Sequence, residues 1–346
     1  MTPSDPTTPQ TVDALEEMLS EPTPGAVQAM RELPGDLLLL GVGGKMGPTL
    51  ARMAVRASEQ AGVSRRVIGV SRFSSTEMRS RLESWGVDTL ACDLVQEGAL
   101  EKLPDVENVI HMMGLKFGTG SNPALAWAMN CYVPSRVSRR YRNSRLAAFS
   151  SGNVYGLTSV DGGGSVEDDP LEPVGEYAIT VLGRERMFEY FSREWNIPMV
   201  LLRLNYATEM RYGVLVDIAQ KVLAEEPVDV SMGYVNVIWQ RDANAMTLQS
   251  LAHVATPPQV LNIAGPEILR IRGVAAEMAA LMGRPLHETG QEATRAFLNN
   301  AGKSHALLGR PTVAASQLIR WTADWVARGG ENLGKPTHFE SHHGKY

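Results

Sequence analysis

A run of four leucines, Leu37–Leu40, passes directly into Gly41-Val42-Gly43-Gly44-Lys45-Met46-Gly47 and then into a helical pattern. Strand, glycine turn and helix in that order make a phosphate site. Backbone N–H groups and the positive end of the helix dipole converge there on one small volume. Gly41 permits the tight turn, Gly44 leaves the backbone bare for a pyrophosphate, and Gly47 admits close packing of helix on strand. The spacing reads GxxGxxG, and Gly43 also allows GxGxxxG. Gly41, Gly44, Lys45, Met46 and Gly47 are therefore expected against a dinucleotide, with a ligand-free tight turn as the plainer alternative.

The next apolar run, Val67–Val70, ends in Ser71-Arg72-Phe73-Ser74-Ser75. A site for NAD normally places an Asp or Glu here to accept from the ribose 2′-hydroxyl. Ser71 and Arg72 offer hydroxyl and guanidinium instead, which would hold a 2′-phosphate. The expected cofactor is NADP ahead of NAD. If Arg72 only stacks on the adenine, either one fits.

The elements that must position these groups alternate along the chain. Strands are expected at Asp36–Leu40, Val67–Val70, Thr89–Ala91, Val109–Met113, Leu146–Ser150 and Met199–Leu204, with helices at Gly47–Ala61 and Thr76–Trp85. Apolar strands alternating with helices imply a parallel sheet covered on both faces. The expected fold is α/β: a Rossmann-type doubly wound parallel sheet with a smaller C-terminal α/β substrate lobe. Residues 1–34 read as an N-terminal helical arm (amphipathic at Val12–Leu19 and Gly25–Leu33), 35–205 as the dinucleotide-binding body, and 206–328 as a substrate lobe interleaved with it. Residues 329–346 read as a surface extension.

Composition narrows the function classes. The 346 residues carry 33 basic and 38 acidic side chains, a balance with no footprint for nucleic acid or an anionic membrane surface. Two cysteines, Cys92 and Cys131, are too few for a disulfide framework and suit a reducing cytoplasm. No Lys or Arg precedes Arg31 and the early residues lack an apolar stretch, so neither a signal peptide nor a membrane span is expected.

Further motifs give the chain a resemblance. Cys92-Asp93-Leu94 follows the third strand. Val109-Ile110-His111-Met112-Met113-Gly114-Leu115-Lys116 ends the fourth, and Asn130 lies in the next helix. Phe149-Ser150-Ser151-Gly152-Asn153-Val154-Tyr155-Gly156 closes the fifth strand, and Glu167-Asp168-Asp169-Pro170 precedes Pro173-Val174-Gly175-Glu176-Tyr177. Leu201-Leu202-Arg203, Trp239-Gln240-Arg241-Asp242-Ala243 and Leu261-Asn262-Ile263-Ala264-Gly265-Pro266-Glu267 follow. Together, over about residues 36–328, these resemble the extended short-chain dehydrogenase/reductase family, the NAD(P)-dependent epimerases and dehydratases of nucleotide sugars. The resemblance implies an adenine contact at Asp93 and Leu94, further cofactor contacts at Met113, Gly114, Lys116 and Asn130, and an active-site tyrosine at Tyr177. It also implies a substrate-orienting hydroxyl at Ser151, a sugar-like small-molecule substrate and a homodimer.

The departure from the family lies at the chemistry. Members place a lysine four residues after the tyrosine, one helical turn on, where it binds the nicotinamide ribose and lowers the tyrosine pKa. This chain reads Tyr177-Ala178-Ile179-Thr180-Val181. Three readings follow. Another cation substitutes, with Lys116 as the leading choice and Arg184 as a second; or proton transfer runs through Ser151, water or another group; or the protein binds a dinucleotide without turning it over, as a sensor or regulatory protein. Lys116 would otherwise be a phosphate contact alone, and Tyr155 reads as structural.

On the substrate side Asn205, Arg211 and Gln240 are the polar candidates, with Arg241 and Tyr212 nearby. His338, His342 and His343 near the C-terminus lack a helical pattern and a cysteine partner, so a solvated tail is expected there and no metal. His111 reads as a satisfied core histidine.

Overall fold

The computed structural model describes residues 7–116 and 121–341. Seven strands form one sheet: β1 (Leu37–Leu40), β2 (Val67–Ser71), β3 (Asp88–Ala91), β4 (Asn108–His111), β5 (Arg145–Ser151), β6 (Met199–Leu204) and β7 (Gln259–Ile263). Their order is β7-β6-β5-β4-β1-β2-β3 and every neighbouring pair is parallel. The leucine run is continuous because both faces are covered. Leu37 and Leu39 enter the apolar core on one side, Leu38 and Leu40 the core on the other. This is the expected doubly wound Rossmann sheet. Strand order reverses between β1 and β4, and a crevice beyond the carboxyl ends of strands at such a reversal is where open α/β sheets hold ligands.

β4 stops at His111, two residues short of the expected strand. Met112 still donates to the Leu40 carbonyl at 3.0 Å before the chain turns away. The outermost strand, β7, comes from beyond residue 206, so the sequence segment assigned to the substrate lobe also completes the sheet. The lobe has its own core, built on α7 (Val214–Leu223), α9 (Ile271–Met282) and α10 (Ala315–Ala327), with Trp239 and Trp325 fully enclosed.

The arm consists of α1 (Val12–Leu19) and α2 (Pro24–Glu32), capped at their N-termini by the Thr11 and Thr23 hydroxyls. It packs on α3 (Gly47–Ala61) and α8 (Gln240–Ser250). Glu17 pairs with Arg52 and Arg56 of α3. The neighbouring Glu16 is buried and bridges Arg81 of α4 (Thr76–Ser84) at 3.0 Å and Arg211 at 3.1 Å.

The C-terminal extension departs from the solvated tail expected of it. Leu333 donates its N–H to the Arg211 carbonyl, Thr337 gives both N–H and hydroxyl to Asp217, and Phe339 is buried in the lobe's core. An isolated aromatic and a threonine suffice to dock a segment that shows no periodicity. His342 and His343 lie outside the described residues. Among the described residues no group of three or more His, Cys, Asp or Glu could hold a metal ion, and no helix is long and apolar enough to cross a membrane.

Candidate functional site

The glycine turn is built at the β1 end of the crevice. Gly41 sits at φ +94°, a conformation that favours glycine, and a side chain there would stand 2.9 Å from the Met113 backbone. Gly41 and Val42 donate to the Val70 carbonyl, tying the turn to β2. A Cβ on Gly47 would strike the Val42 carbonyl, so its close approach is to the turn's own backbone. Gly44 is exposed with no neighbour nearer than 3.5 Å to a built Cβ, and α3 begins at Gly47 without a side-chain cap. Bare backbone ahead of an uncapped helix N-terminus is a cradle for the phosphates of a dinucleotide, so the residues present fit that group.

Around the turn the other expected contacts are in reach of one crevice. A Cβ on Gly43 would meet Ser71 Oγ at 2.6 Å, which puts that hydroxyl against the turn, and Arg72 lies exposed just beyond β2. Asp93 Oδ1 accepts from the Val95 N–H, and Leu94 is buried beneath it. Met113 is half-buried and Gly114 exposed at the end of β4.

Tyr177 stands in the first turn of α6 (Gly175–Trp195), a helix packed on the Gly152–Val154 turn that follows β5. Ser151 ends that strand, buried, with its hydroxyl 3.1 Å from the Asn153 side-chain oxygen. The Lys116 ammonium is 5.8 Å from the centre of the Tyr177 ring. Burial lowers Lys116 to about 8, opposed by Asp217. Val181 is fully buried against Val154 and Tyr155, in an apolar cluster on which Tyr177 packs. The helix position four residues after the tyrosine is thus core.

The next buried cation along α6 is Arg184. It donates to the Phe149 carbonyl at 2.8 Å and to the Asn130 side-chain oxygen at 2.6 Å. Asn130 in turn accepts from the Leu115 N–H and donates to the Leu115 carbonyl and the Thr180 hydroxyl. Thr180 donates back to the Tyr177 carbonyl. One network therefore fixes the peptide preceding Lys116 and the turn carrying Tyr177. Burial lowers the Arg184 pKa, with Tyr177 among the groups opposing the shift. His111, beneath this network, is the fully buried core residue expected, with the Met113 backbone as a hydrogen-bonding neighbour of its ring. Burial, then Arg184, lower it to about 3 and keep it neutral.

Comparison with known proteins now bears on this geometry. Residues 37–211, slightly more than half the chain, match the model of the NAD dependent epimerase/dehydratase family. The chain belongs to that family. Among solved structures it is similar to UDP-glucuronic acid 4-epimerase from Bacillus cereus in complex with UDP-glucuronic acid and NAD (18% identity, TM-score 0.71, covering 85% of this chain and 99% of that one). It is also similar to UDP-glucose 4-epimerase from Thermus thermophilus in complex with NAD (18%, 0.69, 85% and 99%). A third is dTDP-glucose 4,6-dehydratase from Bacillus anthracis, also with NAD (16%, 0.69, 85% and 96%). No curated protein matches the chain. At these identities the likeness establishes the Rossmann fold.

For a member of this family, the substrate-side candidates are placed unexpectedly. Asn205 is buried and donates to Asn236 Oδ1 at 2.8 Å, and Gln240 is buried and donates to the Thr49 hydroxyl at 3.1 Å. Arg211 is held by Glu209 and by Glu16 of the arm. All three face interior partners drawn from distant parts of the chain. Two other residues reach the seam between body and lobe. Lys45 Nζ lies 2.7 Å from the centre of the Tyr212 ring, and Lys335 of the docked C-terminal segment is felt by Lys45 as a like charge. Sequence reasoning places Lys45 in the turn by its backbone and passes over Lys335. The one signal for the latter is Phe339, four residues on, an aromatic that anchors the segment.

Proposed function

We propose that this protein is an NAD(P)-dependent epimerase, dehydratase or reductase acting on a sugar or nucleotide-sugar-like hydroxyl or carbonyl compound. The observation that carries the reading is Lys116 standing 5.8 Å from the Tyr177 ring, beside a turn that fits dinucleotide phosphates, with Val181 withdrawn into the core. The dinucleotide, when bound, supplies hydride chemistry. The chain's own groups do the rest. Tyr177 gives or takes the proton at the substrate oxygen, Ser151 orients that oxygen, and Lys116 is the cation that stabilises charge developing on the phenol oxygen. Arg184 is a positioning residue that holds both through Asn130. The solved neighbours are two UDP-sugar 4-epimerases and a dTDP-glucose 4,6-dehydratase, each holding NAD and one also UDP-glucuronic acid, and they support the substrate class.

Ser71 and Arg72 in place of a carboxylate support NADP ahead of NAD. Exposed Trp127, Tyr132, Ile179 and Tyr190, the last two on one face of α6, support the homodimer. The cytoplasmic assignment rests on the two free cysteines. A dinucleotide-binding sensor without turnover is the second reading, favoured by the missing lysine at Val181.

The deciding experiment measures NADPH and NADH affinities by fluorescence and turnover on a panel of UDP- and dTDP-sugars. NADPH binding tighter than NADH, with Arg72→Ala reducing that preference about tenfold, is expected. Tyr177→Phe should lower kcat by about 10²- to 10⁴-fold. Unchanged turnover in Tyr177→Phe removes the role given to it, and tight binding without turnover on any sugar selects the sensor. Because Lys116 is charged below about 8, turnover that depends on it falls as pH rises through that value.

A further inference from the structure

The N-terminal arm precedes residues 37–211, the segment matched by the family model. Its two helices belong to different cores. On α2, Ala26, Ala29 and Met30 are buried with Leu37 and Leu39 of β1 in a core of the body. On α1, Leu15 and Leu19 are buried in the core of the lobe together with Met210. The arm therefore crosses the seam between body and lobe. Arginines of the body hold the C-terminal ends of both helices, where the helix dipole favours a cation. Arg56 donates to the Glu17 carbonyl and Arg65 to the Met30 carbonyl, each at 2.9 Å.

Glu16 shares the buried face of α1 with Leu15 and Leu19, where a carboxylate needs partners. Its Oε1 accepts from Arg81 of α4, in the body, at 3.0 Å and from Arg211, in the lobe, at 3.1 Å. One buried atom thus joins the two parts. Arg211 sits in a tight turn in which Glu209 and Tyr212 exchange backbone hydrogen bonds of 2.9 and 3.2 Å, and its Nε donates to Glu209 at 3.1 Å. The next side chain, Tyr212, covers Lys45 of the phosphate turn, whose Nζ is 2.7 Å from the ring centre. Glu17, one residue on, is exposed and pairs with Arg52 and Arg56, both of the body.

We propose that the arm is a strap and Glu16 its lock, a positioning residue that holds the 209–212 turn of the lobe over the phosphate turn and thereby slows release of the dinucleotide. The inference rests on the dinucleotide reading above and adds to it a control on residence time, built from residues outside the nucleotide-binding motifs. The contacts give the direction of the effect. With Glu16 in place, Arg211 is fixed from the arm and from Glu209 at once. Without that carboxylate Arg211 keeps Glu209, so the turn stays formed, but it is no longer tied to α4. The edge of the lobe then leaves Lys45 more often and opens a way out for the phosphates.

The test uses the full chain and whichever of NADPH and NADH binds tighter. It measures dissociation and association by stopped-flow fluorescence and, in ligand-free protein, amide exchange at Glu209, Tyr212 and Leu333, the last of which donates to the Arg211 carbonyl. Glu16→Gln should raise the dissociation rate about tenfold and the association rate by less than about threefold, with faster exchange at the three amides. Arg81→Met cuts the same bridge on the body side, at a half-buried residue. It should raise dissociation about threefold, and added to Glu16→Gln it should contribute little more. Arg52→Met removes a contact of the arm that does not cross the seam and should leave both readouts at the wild-type level. Exchange and dissociation unchanged in Glu16→Gln overturn the lock. Faster exchange with unchanged dissociation leaves a strap that does not act on the cofactor and overturns the positioning role. An equal rise in Arg52→Met reduces the effect to a general loosening of the arm and overturns it too. Wild type that binds neither dinucleotide is a different result: it removes the proposed function and the effect on release with it, while exchange still reports whether Glu16 ties down the turn.

Discussion

Arg203 and Lys45 are both largely buried cations, and the molecule treats them in opposite ways. Arg203, on β6, makes two hydrogen bonds to Glu185, a third to the Tyr155 hydroxyl and a fourth to the Glu167 carbonyl. Glu185 also accepts from Ser150, and Tyr155 donates to Asn262 of β7, so the hub ties β5, β6, β7 and α6 together. Burial pulls against the charged form of Arg203, but Glu185 overcomes it and the pKa rises. For Lys45 burial wins, and its like-charged neighbours push the same way. At Arg203 the scaffold thus matches an interior charge from within the chain. The crevice sets cations beside one another, an arrangement that makes sense for a surface completed by something else.

Breaking the matched region should cost most. Glu185→Ala leaves Arg203 buried without its carboxylate and should remove about 3–5 kcal/mol of stability, read by urea unfolding. Replacing both partners with apolar residues of similar size should cost much less. A loss no larger in the single variant than in the double would mean that the pair is not the fastener described. Glu16→Ala is the intermediate case, because its carboxylate serves both Arg81 and Arg211. A loss of about 1–3 kcal/mol is expected in the same assay. Lys45→Met should act with the opposite sign, and its effect is read in the slope of stability against pH. The ordinary lysine value is 10.5 and the folded one about 6, so between those limits the unfolded chain holds the extra proton. Ligand-free stability therefore rises with pH across that window on account of this lysine, and Lys45→Met should flatten the rise. A steeper slope in the variant would contradict the assignment.

The same division decides what was legible in the sequence. Leu37–Leu40 and the glycines after it can be read because a strand, a turn and an uncapped helix are local events, and the sheet follows from their repetition. Tyr177 and Val181 are equally local, four residues apart on one helix. Asn205, Arg211 and Gln240 are not. Their types advertise polarity, but Asn236, Glu16 and Thr49, which occupy them, come from other segments and become neighbours only on folding. Polarity in a sequence does not distinguish a group held for a ligand from one already used. The docked C-terminal segment eluded the reading for the related reason that a lone Phe339 and Thr337 make no pattern.

The contacts of the arm have a consequence for how the chain is made. The Trp321 indole N–H donates to the Thr7 hydroxyl at 2.8 Å, and Arg328 donates to the Pro9 carbonyl. The earliest described residues are therefore partners of the last helix. While the chain emerges from the ribosome the arm's helices meet α3 early, but the residues ahead of α1 have nothing to close upon until α10 has been synthesised, and the outer edge of β6 waits for β7. Thr7 and Pro9 thus meet Trp321 and Arg328 only after translation has passed more than three hundred further residues.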